Sequence, residues 1–375
     1  MGKGCFLSRP NRFMVLCELN GQRVKAFLPN PGRLHELLFP GAPLYLEEAS
    51  GPKRTLPYTA VAVERDGEIV VLHTHKTNDV VRYLIEEGVI KGLGQWRYVR
   101  REVTRGKSRF DFLYRKGRQE ILLEVKSCTL FSKQVAMFPD AVTERGRRHL
   151  IELAGLSTPR LQCAVLFLIH WRHAKWFLPD YHTDLDFAKT FLAVKDKVVI
   201  MPIAVRWLPD FSIDIKSVAC IDIPWTTLDR EARDGGSYLV LLKVHERKTI
   251  SIGKLGPISF EAGHYIYIGS AMKGLSKRIE RHRRLRKRLF WHIDYLRGVA
   301  EFHVALPVRS SDNLECEIAK KIRAFAEWEV PGFGASDCAC SSHLFGNGSD
   351  PLMDPAFHLI LQHFRMERLT ETFKK

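Results

Sequence analysis

The sequence predicts a multidomain α/β (α+β) chain: an OB-like β-barrel at the N-terminus, a mixed sheet with flanking helices behind it, and a smaller α/β domain at the C-terminus. Three observations carry this. Five strand-length runs fall between residues 12 and 73. A helix, three strands, a second helix and a buried strand then follow in order up to residue 171. A Gly-containing break near residue 235 opens onto a new strand pattern. Period-2 runs followed by alternating helix and strand signals are how such layered domains are written.

In the first part, the run at 13–19 passes through Asn20-Gly21, a strong hairpin signal, into 23–28. Further runs lie at 43–48, 56–64 and, after Asp66-Gly67, 68–73. Five strands in so short a span suit a small closed barrel of the OB type, a frequent platform for nucleic acid. Arg9, Arg12, Arg23, Lys25 and Arg33 are candidate phosphate contacts, with a solvated face as the alternative for any one of them. Pro29-Asn30-Pro31-Gly32 is a rigid turn, and 34–38 a brief helical stretch.

Asn78 is placed to cap a helix whose Val80, Val81, Leu84 and Ile85 form one apolar face, closed by Gly88. Glu86 and Glu87 sit in its last turn. A strand at 96–103 leads into the stretch with the strongest chemical signal, 108–127, two apolar runs joined by a turn through Lys116, Gly117 and Arg118. Asp111 alternates with Phe110 and Phe112, and Glu124 and Lys126 lie two apart, hence on one face. Two carboxylates and an ammonium in otherwise apolar strands are costly to bury uncompensated. Hard oxygen donors suit Mg²⁺ or Mn²⁺. With the lysine steadying an attacking water or the charge growing on a phosphate, the set points to metal-dependent phosphodiester cleavage. An edge hairpin closed by an ordinary salt bridge is the alternative. A helix over 140–153 carries Arg145, Arg147, Arg148 and His149, and the almost wholly apolar 161–171 reads as a strand covered on both faces.

The segments Arg9-Pro10-Asn11-Arg12-Phe13, Leu28-Pro29-Asn30-Pro31-Gly32-Arg33-Leu34, Ser108-Arg109-Phe110-Asp111-Phe112, Glu124-Val125-Lys126-Ser127 and Phe138-Pro139-Asp140-Ala141-Val142-Thr143-Glu144-Arg145-Gly146-Arg147-Arg148-His149-Leu150 resemble the sugar fermentation stimulation protein A family. The resemblance covers residues 5 to 215. It implies an OB-like domain at 1–75, a PD-(D/E)XK nuclease-type domain at 76–215, DNA binding, and a link to expression of sugar-utilisation genes. On that pattern Asp111, Glu124 and Lys126 occupy the nuclease signature, with Asp111 and Glu124 as metal ligands and Glu86 as the helix carboxylate. The nucleic-acid contacts expected in these domains are Arg12, Arg33, Arg109, Arg145 and Arg148.

Residues 216–235, with Asp222-Ile223-Pro224 and a Gly-rich end, read as a linker. Strands are expected at 237–244, 249–252 and 263–271, then a helix over 275–289 crowded with bases against one acid, Glu280. Packing Leu275 and Ile279 inward puts Arg278 and His282 on or beside the buried stripe. Lys277, Arg281 and Arg284 then face water, where they bind phosphate or are simply solvated. Gly236-Ser237-Tyr238, Tyr267-Ile268-Gly269 and helical Arg278 resemble the GIY-YIG nucleases. The wider string through Trp291-His292-Ile293-Asp294-Tyr295-Leu296 and Gly332-Phe333-Gly334-Ala335-Ser336-Asp337-Cys338 resembles a domain of unknown function related to them, over 236–346. The resemblance implies that a tyrosine assists deprotonation of water, the arginine stabilises phosphorane-like charge, and a later glutamate holds a metal ion. Tyr238, Tyr267, Arg278 and Glu315 fill these places. The gap between the two tyrosines is longer than is typical, and Tyr265 and Tyr267 as plain sheet aromatics is the alternative. Cys338-Ala339-Cys340-Ser341-Ser342-His343, with Cys316 elsewhere, offers ligands of the kind zinc prefers, at no common knuckle spacing. Buried free thiols are the preferred reading over Zn²⁺ at Cys338, Cys340 and His343. A helix and basic tail occupy 349–375.

Composition bounds the partners. Lys plus Arg outnumber Asp plus Glu by 58 to 42, a formal charge of +16, which favours a polyanion. DNA is the first candidate and RNA the second. No secretory leader pattern and no long apolar span is read, so a cytoplasmic protein without membrane contact is expected. Eight cysteines, dispersed except near the end, read as reduced thiols. Two functional readings follow: a metal-dependent nuclease, or a non-catalytic DNA-binding regulator of sugar-utilisation genes that retains nuclease folds.

Overall fold

The first sheet contains β1 (Gly2–Asn11), β2 (Met14–Leu19), β3 (Gln22–Phe27), β4 (Pro43–Glu48), β5 (Tyr58–Arg65) and β6 (Glu68–Val71). In a computed structural model that describes residues 1–49 and 55–373, they run in the order β3-β2-β1-β4-β5-β6. A parallel pairing of Ala26 and Phe27 with Tyr58 and Thr59 joins β3 to β5. Five strands thereby close into a barrel around Phe6, Val15, Cys17, Ala26, Leu44 and Ala60, all buried. The expected number of barrel strands holds, but the membership differs. β1 is a barrel strand the sequence pattern did not disclose, and 68–71 lies outside the closure. Gly2, Gly4, Ser8 and Arg9 give β1 no clean apolar alternation, and it is held by pairing on both edges. A Cβ at Gly4 would sit 2.4 Å from the Glu18 carbonyl oxygen, so this close approach requires glycine. The helical stretch expected at 34–38 is a single turn, in which Leu37 and Leu38 donate to the Leu34 carbonyl.

Next come α1 (Thr77–Glu86), β7 (Arg97–Arg105), β8 (Ser108–Lys116), β9 (Gln119–Cys128), β10 (Leu130–Phe131), β11 (Val135–Phe138), α2 (Glu144–Leu156), β12 (Leu161–Ile169), β13 (Trp176–Pro179), α3 (Leu185–Val194), β14 (Val198–Ala204) and β15 (Ala219–Cys220). The main sheet runs β15-β14-β12-β9-β8-β7. Its centre, β9, β12 and β14, is parallel, and its outer strands are antiparallel. That makes a mixed sheet, with apolar strands at its buried centre as expected. One face takes Val81, Leu84 and Ile85 of α1 against Phe112, Tyr114, Leu123 and Leu166. Behind β12, Phe138, Phe167, Phe177, Phe187 and Phe191 form an aromatic cluster, with Phe167 and Phe177 centroids 4.5 Å apart. Two helix starts differ from expectation. Asn78 lies inside the first turn of α1, after Lys76, and α2 begins only after Thr143, whose Oγ1 accepts from Gly146 N at 3.0 Å.

The chain divides into two compact units, Met1–Asp180 with Asp186–Trp225, and Tyr181–Leu185 with the residues from Thr226 on. The second contains most of α4 (Trp225–Glu231), then β16 (Gly236–Val244), β17 (Lys248–Ile252), β18 (Gly256–Phe260), β19 (Gly263–Ala271), α5 (Leu275–Arg283), α6 (His292–Arg297), β20 (Glu301–Arg309), α7 (Glu315–Phe325), β21 (Trp328–Glu329), β22 (Leu344–Asn347) and α8 (Pro355–Arg365). Its sheet runs β20-β16-β19-β22-β21. Strand alternation splits two cores. Tyr238, Val240, Tyr265 and Tyr267 pack with Leu275 and Ile279, while Leu239, Leu241, Ile266 and Ile268 pack with Ile318, Ile322 and Phe357. The long gap between the tyrosines is a separate β17–β18 hairpin. α5 stops at Arg283, short of the expected 289, because Lys287 Nζ folds back to donate to the Arg281 and His282 carbonyls and to pair with Asp294 at 2.9 Å. Lys374 and Lys375 of the expected basic tail lie outside the described residues. Among those residues no helix is long and apolar enough to cross a membrane.

Candidate functional site

The β8–β9 ladder ends at Phe112–Leu123. Beyond it Asp111 replaces a main-chain partner: its Oδ2 accepts from Val125 N at 2.8 Å and its Oδ1 from Asn78 Nδ2 at 2.7 Å. Glu124, 3% exposed, receives His149 Nδ1 at 2.7 Å and the Lys126 ammonium on the same oxygen, Oε1. Its Oε2 is buried with no hydrogen-bond partner among the described residues. Burial, then the nearby Glu124 charge, pushes the Asp111 carboxyl up. Burial also raises Glu124, but Lys126 and His149 outweigh it and hold this carboxyl below its ordinary value. Both acids and Lys126 line one cleft of about 580 Å³, floored by the strand ends and walled by the start of α1, the 138–146 segment and the Asn30–Gly32 turn.

The donor set fits a hard divalent cation. Each Asp111 oxygen uses one lone pair and retains another, and Glu124 Oε2 is free to ligate. Glu86 does not join this set. It lies at the far end of α1, half exposed and paired with Arg82 at 2.8 Å, whereas the α1 residues at the cleft are Thr77 and Asn78, the latter bonded to Asp111. Arg12 and Arg145 reach the rim. Arg33 is not free for phosphate: its Nε donates to the Asp140 carbonyl while Asp140 Oδ2 accepts from Leu34 N at 2.7 Å. This joint fixes the barrel's Pro29–Leu34 turn to the cleft wall. Arg109 is exposed and pairs with Glu102, and Arg148 is exposed beside Glu152, both away from the cleft lining. Asn78 and His149 escaped the sequence reading because neither residue type signals a site without knowing what lies opposite it.

In the second unit Tyr238, Tyr267, Arg278 and Glu315 line a single cleft of about 310 Å³. The pairing of Tyr238 with Gly269 and of Val240 with Tyr267 sets the tyrosines on one face, with ring centroids 6.4 Å apart. A Cβ at 269 would lie 2.4 Å from Tyr238 Oη, so glycine is what lets the phenol cross that strand. Tyr238 Oη is 2.8 Å from His282 Nε2. Burial raises the Tyr238 phenol, partly offset by Arg278. The Arg278 guanidinium stacks 4.2 Å over Trp291. Arg281 is occupied differently from expectation, donating to both oxygens of Asp294 at 2.9 Å. Lys277 and Arg284 are exposed. Glu315, the first residue of α7, accepts from Ser270 Oγ and from His343 Nδ1, the latter at 2.9 Å. His292, not singled out from sequence, also lines the cleft, its Nδ1 accepting from Gly334 N at 3.0 Å. Behind Glu315, Cys316, Cys338, Cys340 and His343 bring one ligand atom each within 4.8 Å of one another. The expectation of buried thiols is corrected here: Cys316 is exposed, and Cys338 and Cys340 are half-buried.

A closed OB-type barrel, a mixed sheet flanked by helices and a further antiparallel-sheet unit define a modular, multidomain α/β protein. The chain belongs to the sugar fermentation stimulation protein family. Residues 7–72 match the SfsA N-terminal OB domain, 75–211 the sugar fermentation stimulation protein RE domain, and 237–366 the domain of unknown function DUF123, which is related to the GIY-YIG group. A sugar fermentation stimulation protein homolog from Methanothermobacter thermautotrophicus is 37% identical over 224 residues, 55% of this chain and 93% of its own. One from Shouchella clausii is 39% identical over 200 residues, 52% of this chain and 86% of its own. Among solved structures, that of Pyrococcus furiosus SfsA in complex with Ca²⁺ aligns with a TM-score of 0.54 and 27% identity, over 59% of this chain and 96% of that one.

Proposed function

We propose that this chain is a metal-dependent nuclease that hydrolyses phosphodiester bonds in DNA. The observation that carries the reading is the meeting of Asp111, Glu124 and Lys126 in one open cleft, with Glu124 Oε2 buried and unpaired. An unpaired buried carboxylate oxygen is costly, and a divalent cation is the partner that matches it. The Ca²⁺ complex of the Pyrococcus furiosus relative supports a divalent, oxygen-seeking ion in the family. Asp111 and Glu124 would hold Mg²⁺ or Mn²⁺, which supplies neutralisation of phosphate charge and activation of water when bound. Asn78 and His149 keep the two carboxylates oriented through hydrogen bonds. Lys126 sets a positive charge beside Glu124, where it stabilises charge developing on a non-bridging phosphate oxygen. Arg12 and Arg145 at the rim hold flanking phosphates.

In the second cleft, Arg278 neutralises phosphate charge, the Tyr238–His282 pair offers a path for the proton of the attacking water, and Glu315 is the carboxylate for a cation. The test is one assay: purified full-length protein with single-stranded, duplex and branched DNA and RNA, in Mg²⁺, Mn²⁺ or chelator. Cleavage that needs the divalent ion and disappears in Asp111→Ala combined with Arg278→Ala is the expected result. Unchanged cleavage by that variant refutes the site assignment. The Lys126–Glu124 pair, which partly neutralises the acid without any ion, favours a second reading, a DNA-binding regulator. Salt-sensitive DNA binding without cleavage in any metal would establish it.

A further inference from the structure

We propose that Cys316, Cys338, Cys340 and His343 bind one Zn²⁺, and that this ion positions Glu315 for the second cleft. The proposal rests on the reading of Glu315 as a cation ligand there. The four ligand atoms already lie within 4.8 Å of one another, and Cys338 Sγ is 3.5 Å from His343 Nε2. A tetrahedral zinc with Zn–S near 2.3 Å and Zn–N near 2.0 Å needs ligand separations of roughly 3.3–3.8 Å, a small contraction from this geometry.

The imidazole tautomer points the same way. The Glu315 carboxylate can only accept, so His343 Nδ1 carries the proton and donates to it at 2.9 Å. Nε2 then presents its lone pair to the thiols, which is the arrangement of a metal-bound histidine with a carboxylate behind it. His343 is 1% exposed and has no room to turn away.

Chain geometry gives the ion a task. Cys316 sits in the first turn of α7, one residue after Glu315, while Cys338 and Cys340 lie in 330–343, a long connection between β21 and β22 without regular structure. That connection brings Gly334, Ser336 and Asp337 to the cleft. Backbone hydrogen bonds from Gly332 N to the Ser341 carbonyl and from His343 N to the Phe333 carbonyl hold the base of this connection, and thiolates from α7 and from the connection itself would tie its 338–340 stretch to the helix that carries Glu315. Three thiolates with one imidazole are a soft set that selects zinc over Mg²⁺, so the two ions do not compete for one site.

The experiment is metal analysis of the full-length chain after dialysis, together with Co²⁺ exchange. The expected result is about one zinc per chain and, with Co²⁺, a thiolate-to-metal charge-transfer band. Cys338→Ser combined with Cys340→Ser loses both, Cys340→His keeps the metal, and the zinc-free form needs at least about tenfold more Mg²⁺ for half-maximal cleavage. Arg278→Ala keeps its zinc while losing cleavage at this cleft, so a failed nuclease reading and a failed zinc site give different results. No zinc uptake by the wild-type chain after reduction and reconstitution, or a Cys338–Cys340 disulfide in the native protein, overturns the proposal. The wild-type Co²⁺ spectrum decides the matter even if the serine variant does not fold.

Discussion

Asp111 Oδ2 takes the backbone N–H of Val125 at 2.8 Å, immediately past the last ladder pair of β8 and β9. One carboxylate thus closes the open end of a strand pair and faces the cleft. The two roles separate by substitution. Asp111→Ala leaves the Val125 N–H and the Asn78 amide without their acceptor and is expected to cost ~1–3 kcal/mol, read as a lowered urea midpoint. Asp111→Asn keeps one acceptor oxygen, so it should lose less stability yet abolish divalent-dependent cleavage. Retained cleavage in a folded Asp111→Asn protein would exclude Asp111 as a ligand.

His149 holds Glu124 from α2 without lining the cleft. Its removal should leave the carboxylate in place but less fixed, raising the Mg²⁺ needed for half-maximal cleavage by about 10–100-fold. Titrating Mg²⁺ against the His149→Ala protein checks this. An unchanged metal requirement would make His149 a packing residue only.

Gly269 and Tyr238 are coupled through space, because a Cβ at 269 meets the phenol oxygen at 2.4 Å. Gly269→Ala should cost ~1–3 kcal/mol by overpacking. In a Tyr238→Ala background the same change should cost markedly less, a coupling that a double-mutant cycle in urea measures. Equal costs in both backgrounds would show that the sheet absorbs the methyl elsewhere.

His170 is fully buried, its Nδ1 accepting from Trp207 Nε1 at 2.9 Å and its Nε2 lying 2.8 Å from Ser127 Oγ. Burial lowers its pKa to about 3. The folded state therefore binds this proton more weakly than the unfolded chain, whose value is about 6.5. The contribution is complete above that pH and is lost as pH falls from it toward 3, by about 1.4 kcal/mol per unit. His170→Gln should flatten the fall in urea midpoint between pH 6.5 and pH 5 relative to wild type; parallel curves would contradict it.

DNA affinity should fall steeply with salt if the basic rim contacts phosphates. Replacing either Arg12 or Arg145 by alanine should reduce the slope of log K against log salt by about one. Arg33→Ala should instead lower stability, since its guanidinium is engaged with Asp140. A slope unaffected by Arg12 and Arg145 would move the contact surface elsewhere.

Sequence alone determined what local rules control. Asn20-Gly21 and Lys116-Gly117-Arg118 fixed hairpins, two-residue alternation put Glu124 and Lys126 on one face, and the apolar run at 161–171 announced a covered strand, which forms over 161–169. Only tertiary structure decided which residues meet. Glu86 was a reasonable carboxylate for the cleft, but at about 1.5 Å per residue it lies roughly 12 Å along α1 from Asn78, the residue the helix docks against Asp111. β1 declared itself through pairing on both edges and not through pattern. Cys316 reached Cys338, Cys340 and His343 only because α7 and the 330–343 connection fold to one place. Pattern is written in neighbours a few residues apart, whereas a site is made from side chains whose proximity depends on packing between distant elements.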